Sequence, residues 1–142
     1  MRRLVTILTS GAISILAVVV GGCGLVHEQA LPQESANVEQ ELLHKTSLEA
    51  HGSVYVVTSS ITLQSGASTG RHVHNGFESG YVLKGAVELM NDGQPIRYFS
   101  AGDSFVTYQN LPHIVTNSGT EPATILVTLV VDADKPTTLS YG

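Results

Sequence analysis

The chain has no tryptophan, a single cysteine and no run of lysine or arginine. Charged residues fill only 13% of its 142 positions and aromatic residues 6%. Each shortage excludes something. One Cys cannot form a disulfide within the chain, so a disulfide-stapled scaffold is ruled out. Without a basic stretch nothing tracks a phosphate backbone, which excludes nucleic acid as an expected partner. The formal net charge of -5 agrees, and removal of a leader carrying Arg2 and Arg3 leaves the remainder two units more negative. Low charge together with 14 Gly suits short strands joined by tight turns better than surface helices rich in Glu and Lys. What is present suffices for one core: 42% of residues are hydrophobic, in a length that fits one domain.

Arg2 and Arg3 precede an uncharged run from Leu4 to Gly22 that is rich in Leu, Ile, Val and Ala. A short positive start, an apolar stretch and small residues after it describe an export signal. A membrane-spanning helix is the rival reading, since about 20 apolar residues cross a bilayer. Thr6, Thr9, Ser10, Gly11 and Ser14 dilute the run and count against it. Cys23 stands where the run ends, and an unpaired thiol in an exported protein needs an explanation. Val20-Gly21-Gly22-Cys23 resembles a bacterial lipobox, which implies lipidation of Cys23 and attachment to a membrane without a spanning helix. An ordinary signal cleaved nearby is the alternative. The expected organisation is therefore a lipoprotein-type signal over 1–22, a tether over 23–37 and a folded domain over 38–142. At about 3.3 Å per residue the tether holds that domain some 40 Å from a membrane. The expected location is the cell envelope, in the periplasm or on the outer surface.

From residue 38 onward the pattern is that of strands. Ser53 to Leu63 alternates and is dense in β-branched residues. Gly80 to Met90 reads as two strands meeting in a hairpin-like turn at Lys84-Gly85. Asn91-Asp92-Gly93 is the clearest turn signal and leads into Pro95 to Phe99. Ser104 to Thr107, His113 to Asn117 and Thr124 to Val131 follow as further strands, and Val38 to His44 is read as one too. Many short strands at near-regular spacing predict an all-β sandwich or closed barrel rather than βαβ units.

Three histidines and one glutamate carry the chemistry. His72 and His74 are two apart, which on a strand puts both imidazoles on one face. Glu78 follows at a further even offset, and His113 comes much later, beside Pro112. Imidazole nitrogens with a carboxylate oxygen are ligands for one divalent transition metal such as iron, manganese, nickel, copper or zinc. Four protein ligands leave up to two octahedral positions open, the mark of a reactive rather than a structural metal. A His-built site must be deprotonated to bind, so affinity is expected to fall steeply below about pH 6. His27, His44 and His51 have no such company and are read as ordinary packed or solvated side chains.

The spacing sharpens this. Gly66, five residues, His72, one residue, His74, three residues, Glu78, six residues and Gly85 reproduce the first motif of the cupins. The second motif, G-x5-P-x-G-x2-H-x3-N, is matched by Gly102, His113 and Asn117, but Tyr108-Gln109-Asn110-Leu111 replaces its Pro-x-Gly turn. From Glu39 to Lys135 the chain thus resembles the small single-domain cupins. That resemblance implies a double-stranded β-helix, the cupin jelly-roll barrel, with His72, His74, Glu78 and His113 as metal ligands. It also implies a small-molecule ligand or substrate and pairing into a homodimer. Gly66, Gly85 and Gly102 are expected at positive φ, and Asn117 is expected to hold a loop or strand end.

Cupins include oxygenases, isomerases and lyases as well as members that only bind a ligand, so the resemblance does not fix the reaction. The first reading is an exported, metal-dependent enzyme acting on a small molecule, in which Glu78, if it can leave the metal, is the best available general base. The second is a non-catalytic lipoprotein that binds a metal or small ligand. Tyr81, Phe99, Phe105, Tyr108 and Val115 are candidate pocket-lining or core groups, and Arg71 and Arg97 could meet an anionic substrate.

Overall fold

The computed structural model describes residues 37–48 and 53–141. The expected leader, Cys23 and the tether up to residue 36 lie outside the described residues, as do His27 and His51. Among the described residues there are ten strands, the longer ones built on alternating β-branched and polar residues: β1 Val38–Ser47, β2 Val54–Leu63, β3 His72–His74, β4 Gly76–Lys84, β5 Ala86–Asn91, β6 Arg97–Ser100, β7 Ser104–Thr107, β8 His113–Thr116, β9 Ala123–Asp132 and β10 Thr138–Ser140. All pairings are antiparallel, in two five-stranded sheets ordered β1-β2-β9-β4-β7 and β10-β3-β8-β5-β6. This is the expected all-β double-stranded β-helix.

The path between sheets departs from the sequence reading at Lys84-Gly85. β4 and β5 do not pair; they belong to opposite sheets, and Gly85 is a corner where the chain crosses the barrel. Gly85 has φ 74°, and a Cβ there would press on Ala123 and the Pro122 carbonyl, so both conformation and space demand glycine. Gly66 and Gly102 also take positive φ, at 76° and 96°. After the β1–β2 pair, successive strands mostly alternate between sheets, and only β5 and β6 form a true hairpin, around Gly93. Strand β10 was not foreseen; it is three residues long and carries no periodic signal.

The longer inner strands send alternate residues between the sheets. From β9 these are Ala123, Ile125, Val127, Leu129 and Val131, and from β2 they are Val57, Ile61 and Leu63. Val38, Ala67, Val82, Val87, Leu89, Phe105 and Val115 complete the core, and Leu63, Val82 and Leu89 are fully buried. Each large side chain withdrawn from water contributes about 1.5–3 kcal/mol. Gly80 lies opposite Phe105, whose ring occupies the space a Cβ would need. Tyr81 and Tyr108 are 45% and 63% exposed, so they line neither the core nor the barrel interior; Phe105 and Val115 are core and Phe99 packs against it.

Candidate metal centre

The apolar core fills one part of the barrel, and a polar cluster fills another. His72 and His74 share a face of β3, and His72 is the register partner of His113 on β8. The three imidazoles are buried, with ligand nitrogens all within 4.8 Å of one another. Glu78 comes from β4 in the facing sheet, where alternation points it inward between Gly76 and Gly80. Its Oε2 lies 3.6 Å from His74 Nε2 and 3.1 Å from His113 Nε2. The four candidate ligands named from the spacing therefore meet between the two sheets.

The backbone decides which nitrogen of each ring faces inward. Gly70 O lies 2.9 Å from His72 Nδ1, Leu111 O 2.9 Å from His113 Nδ1 and Thr137 O 3.1 Å from His74 Nδ1. A carbonyl oxygen only accepts, so each Nδ1 carries the hydrogen and each Nε2 presents a lone pair. His74 Nε2 and His113 Nε2 are buried with no hydrogen-bond partner in the protein; the nearby Glu78 oxygen lies outside hydrogen-bond geometry. Rings oriented by carbonyls, with unpartnered inner nitrogens beside a carboxylate, fit a divalent transition metal.

The electrostatics favour the binding form of three of the four candidate donors, His72, His74 and Glu78. Burial lowers His72, to about 3, and the neighbouring His113 and His74 add to the effect. Burial also lowers His74. For His113 burial acts downward, but the adjacent Glu78 outweighs it and raises the pKa. For Glu78 burial acts upward, yet His113, His74 and the Thr107 hydroxyl hold it down at about 2, so it remains a carboxylate.

Two supporting threonines were not visible in the sequence. Thr107 Oγ1 donates to Glu78 Oε2 at 2.6 Å; the two residues are register partners across β7 and β4. The Thr138 hydroxyl sits 3.1 Å from His74 Nδ1, so the unforeseen β10 steadies a candidate ligand. The inward parity of Phe105 and Thr107 was a usable signal for the first; the second had none.

The remaining candidates fall elsewhere. Arg71 is engaged on the surface, paired with Asp92 and lying 4.4 Å over the Tyr141 ring. Arg97 is exposed and stacks 5.5 Å from Phe99. His44 is exposed on β1. Asn117 does hold loops: its Nδ2 donates to Leu63 O and Glu121 O, and its Oδ1 accepts from Gly119 N. Asn110 stands where the family turn has glycine and takes φ 59°, while its N–H donates to His74 O at 2.9 Å. The altered loop thus keeps a left-handed residue, which Asn tolerates. A separate cavity of about 410 Å³, lined by Ser53, Asn75, Gln109 and Asp132 among others, includes none of the four candidate ligands.

Comparison with known proteins agrees with this architecture. No curated protein matches the chain. Among solved structures, an uncharacterised protein with a double-stranded β-helix domain from Klebsiella pneumoniae shares 20% identity at TM-score 0.59, covering 73% of this chain and 84% of its own. The DMSP lyase DddQ from Ruegeria pomeroyi shares 20% identity at TM-score 0.60, covering 73% of this chain and 51% of that one. An oxalate oxidase in complex with glycolate shares 20% identity at TM-score 0.58, covering 75% and 57%. The chain spans only about half the length of these two enzymes. Residues 59–130, just over half of the chain, match the cupin domain family, and the protein belongs to it.

Proposed function

We propose that this cupin binds one divalent transition metal through His72, His74 and His113, with Glu78 as the fourth ligand, and acts as a small metal-dependent enzyme on a small molecule. The observation that carries the reading is the set of three buried imidazoles, each held through Nδ1 by a backbone carbonyl, with their other nitrogens gathered beside one carboxylate. When bound, the metal would polarise a substrate oxygen or lower the pKa of a water. The protein's own contribution is orientation and exclusion of bulk water. The carbonyls of Gly70, Leu111 and Thr137 set the rings, Thr107 sets the carboxylate, and the burial of all four side chains keeps bulk water away. Glu78, ionised and buried, is the group able to take a proton from a substrate if it leaves the metal.

Lyase or oxidase chemistry is the class suggested by the DMSP lyase and oxalate oxidase that share the fold. The reading also takes the protein as exported and lipid-anchored at Cys23. It takes it as a homodimer too, supported by the exposed Phe77, Tyr81 and Leu83 on the outer face of β4. The test is the metal content of the chain from Gly24 onward, produced with mixed trace metals, beside a His72→Ala, His74→Ala double variant. About one equivalent of metal, lost in the variant, is the expected result. Little metal in either protein, with both folded, refutes the enzyme and leaves a barrel used as a binding module.

A further inference from the structure

Strand β5 sends Val87, Leu89 and Asn91 inward. The first two belong to the apolar core, but the third is a carboxamide with only 3% exposure. Register places it beside the metal centre. His72 on β3 opposes His113 on β8, and His113 opposes Asn91 on β5, so the three form one inward row across adjacent strands. Directly opposed residues of an antiparallel pair carry Cβ atoms roughly 4.5–5.5 Å apart. Asn91 Nδ2 donates to Gln94 Oε1 at 3.2 Å, at the mouth of the β5–β6 turn. Asn91 Oδ1 is buried and has no partner within the protein. A buried carbonyl oxygen left in this way destabilises the fold, and native proteins keep few of them. The turn uses Nδ2 alone, and a leucine at this position would give up that bond to the exposed Gln94 but leave no buried polar atom unpaired.

We propose that Asn91 is a ligand-binding residue of the metal pocket, its Oδ1 accepting a hydrogen bond from a hydroxyl or N–H of the small molecule held there. The inference rests on the metal reading above. It narrows the ligand to molecules that carry a hydrogen-bond donor next to the oxygen that meets the metal, such as an α-hydroxy acid. A plain carboxylate or dioxygen has no hydrogen to offer Oδ1 and gains nothing from it. Leu89 and Val115, the opposed pair one inward step further along β5 and β8, present only apolar surface.

The test uses the full-length protein loaded with manganese, with metal content measured first. Glycolate and acetate, which differ by one hydroxyl, are then titrated against the wild type and Asn91→Leu, and both proteins are melted. The wild type is expected to prefer glycolate by roughly tenfold or more, on the scale of one hydrogen bond. Asn91→Leu should lose most of that preference, keep its metal content and its weaker acetate binding, and melt within a few degrees of wild type. Retained preference in Asn91→Leu overturns the proposal, since the hydroxyl is then recognised by another group. No preference in metal-loaded wild type also overturns it. A variant that melts well below wild type and loses metal makes Asn91 structural and overturns it as well. Wild type that takes up no metal instead sinks the metal reading itself, and the first measurement separates that failure from the others.

Discussion

Replacing Thr107 with valine removes one hydroxyl from a side chain of nearly unchanged shape. Its Oγ1 donates at 2.6 Å to Glu78 Oε2, both residues are buried, and they are direct register partners. Hydrogen bonds to a charged group contribute about 1.5–3 kcal/mol, and valine suits a strand at least as well as threonine, so propensity does not mask the loss. About 2 kcal/mol is thus expected from the metal-free domain, seen as a fall in Tm of roughly 8 °C or more. The carboxylate also loses one of the groups holding its pKa at about 2 and moves upward. In the loaded protein an unanchored ligand should weaken metal binding by about 10–100-fold, the usual effect of losing a group that orients a ligand. Competition against a chelator of known affinity reads this, and Thr107→Ser, which restores the hydroxyl, should recover most of it. Wild-type metal affinity in Thr107→Val would refute the claim that the hydroxyl holds Glu78 for the metal. Failure of serine to rescue would assign the effect to packing.

Four further outcomes are expected. Metal affinity should fall as pH drops through the raised pKa of His113, about tenfold per unit, because one proton then competes with the metal. His72, lowered to about 3, joins only in strong acid, so a slope of three protons per metal between pH 5 and 7 in metal titrations would contradict the assignment. The acid edge then lies above the pH 6 expected from unperturbed histidines, because Glu78 stabilises the charged form of His113. The apo domain, by contrast, should lose stability as pH falls from the ordinary His value of 6.5 toward 3, since the unfolded chain protonates His72 first. Gly76→Ala should cost roughly 3 kcal/mol or more, because a Cβ there runs into the Val130 carbonyl of the paired strand; an unchanged denaturation midpoint would refute this close approach. Asn110→Gly should be neutral or stabilising, and Asn110→Ala should cost about 1 kcal/mol for its left-handed backbone, both read by chemical denaturation.

The candidate site was largely legible because its signals are local. A strand has a period of two, so His72 and His74 share a face wherever the strand ends up, and Glu78 keeps the same parity. The glycines at 66, 85 and 102 were legible for a similar reason, since positive φ is a property of one residue. The Lys84-Gly85 step was misread because a tight turn looks the same whether the next strand pairs with the last or crosses to the other sheet.

The sequence by itself determined most of the strand pattern, the all-β fold and three candidate ligands, His72, His74 and Glu78, through residue type and short-range spacing, while His113 was added by the resemblance of its motif to that of the cupins. Only the tertiary structure decided what surrounds them. Thr107 reaches Glu78 across 29 residues of chain, Thr138 of the last strand and Thr137 just before it reach His74, and Asn91 joins the His72–His113 row through register alone. Such contacts depend on which strands lie side by side. Pairing between distant strands is set by the summed burial of a whole sheet face, which no short window of sequence contains.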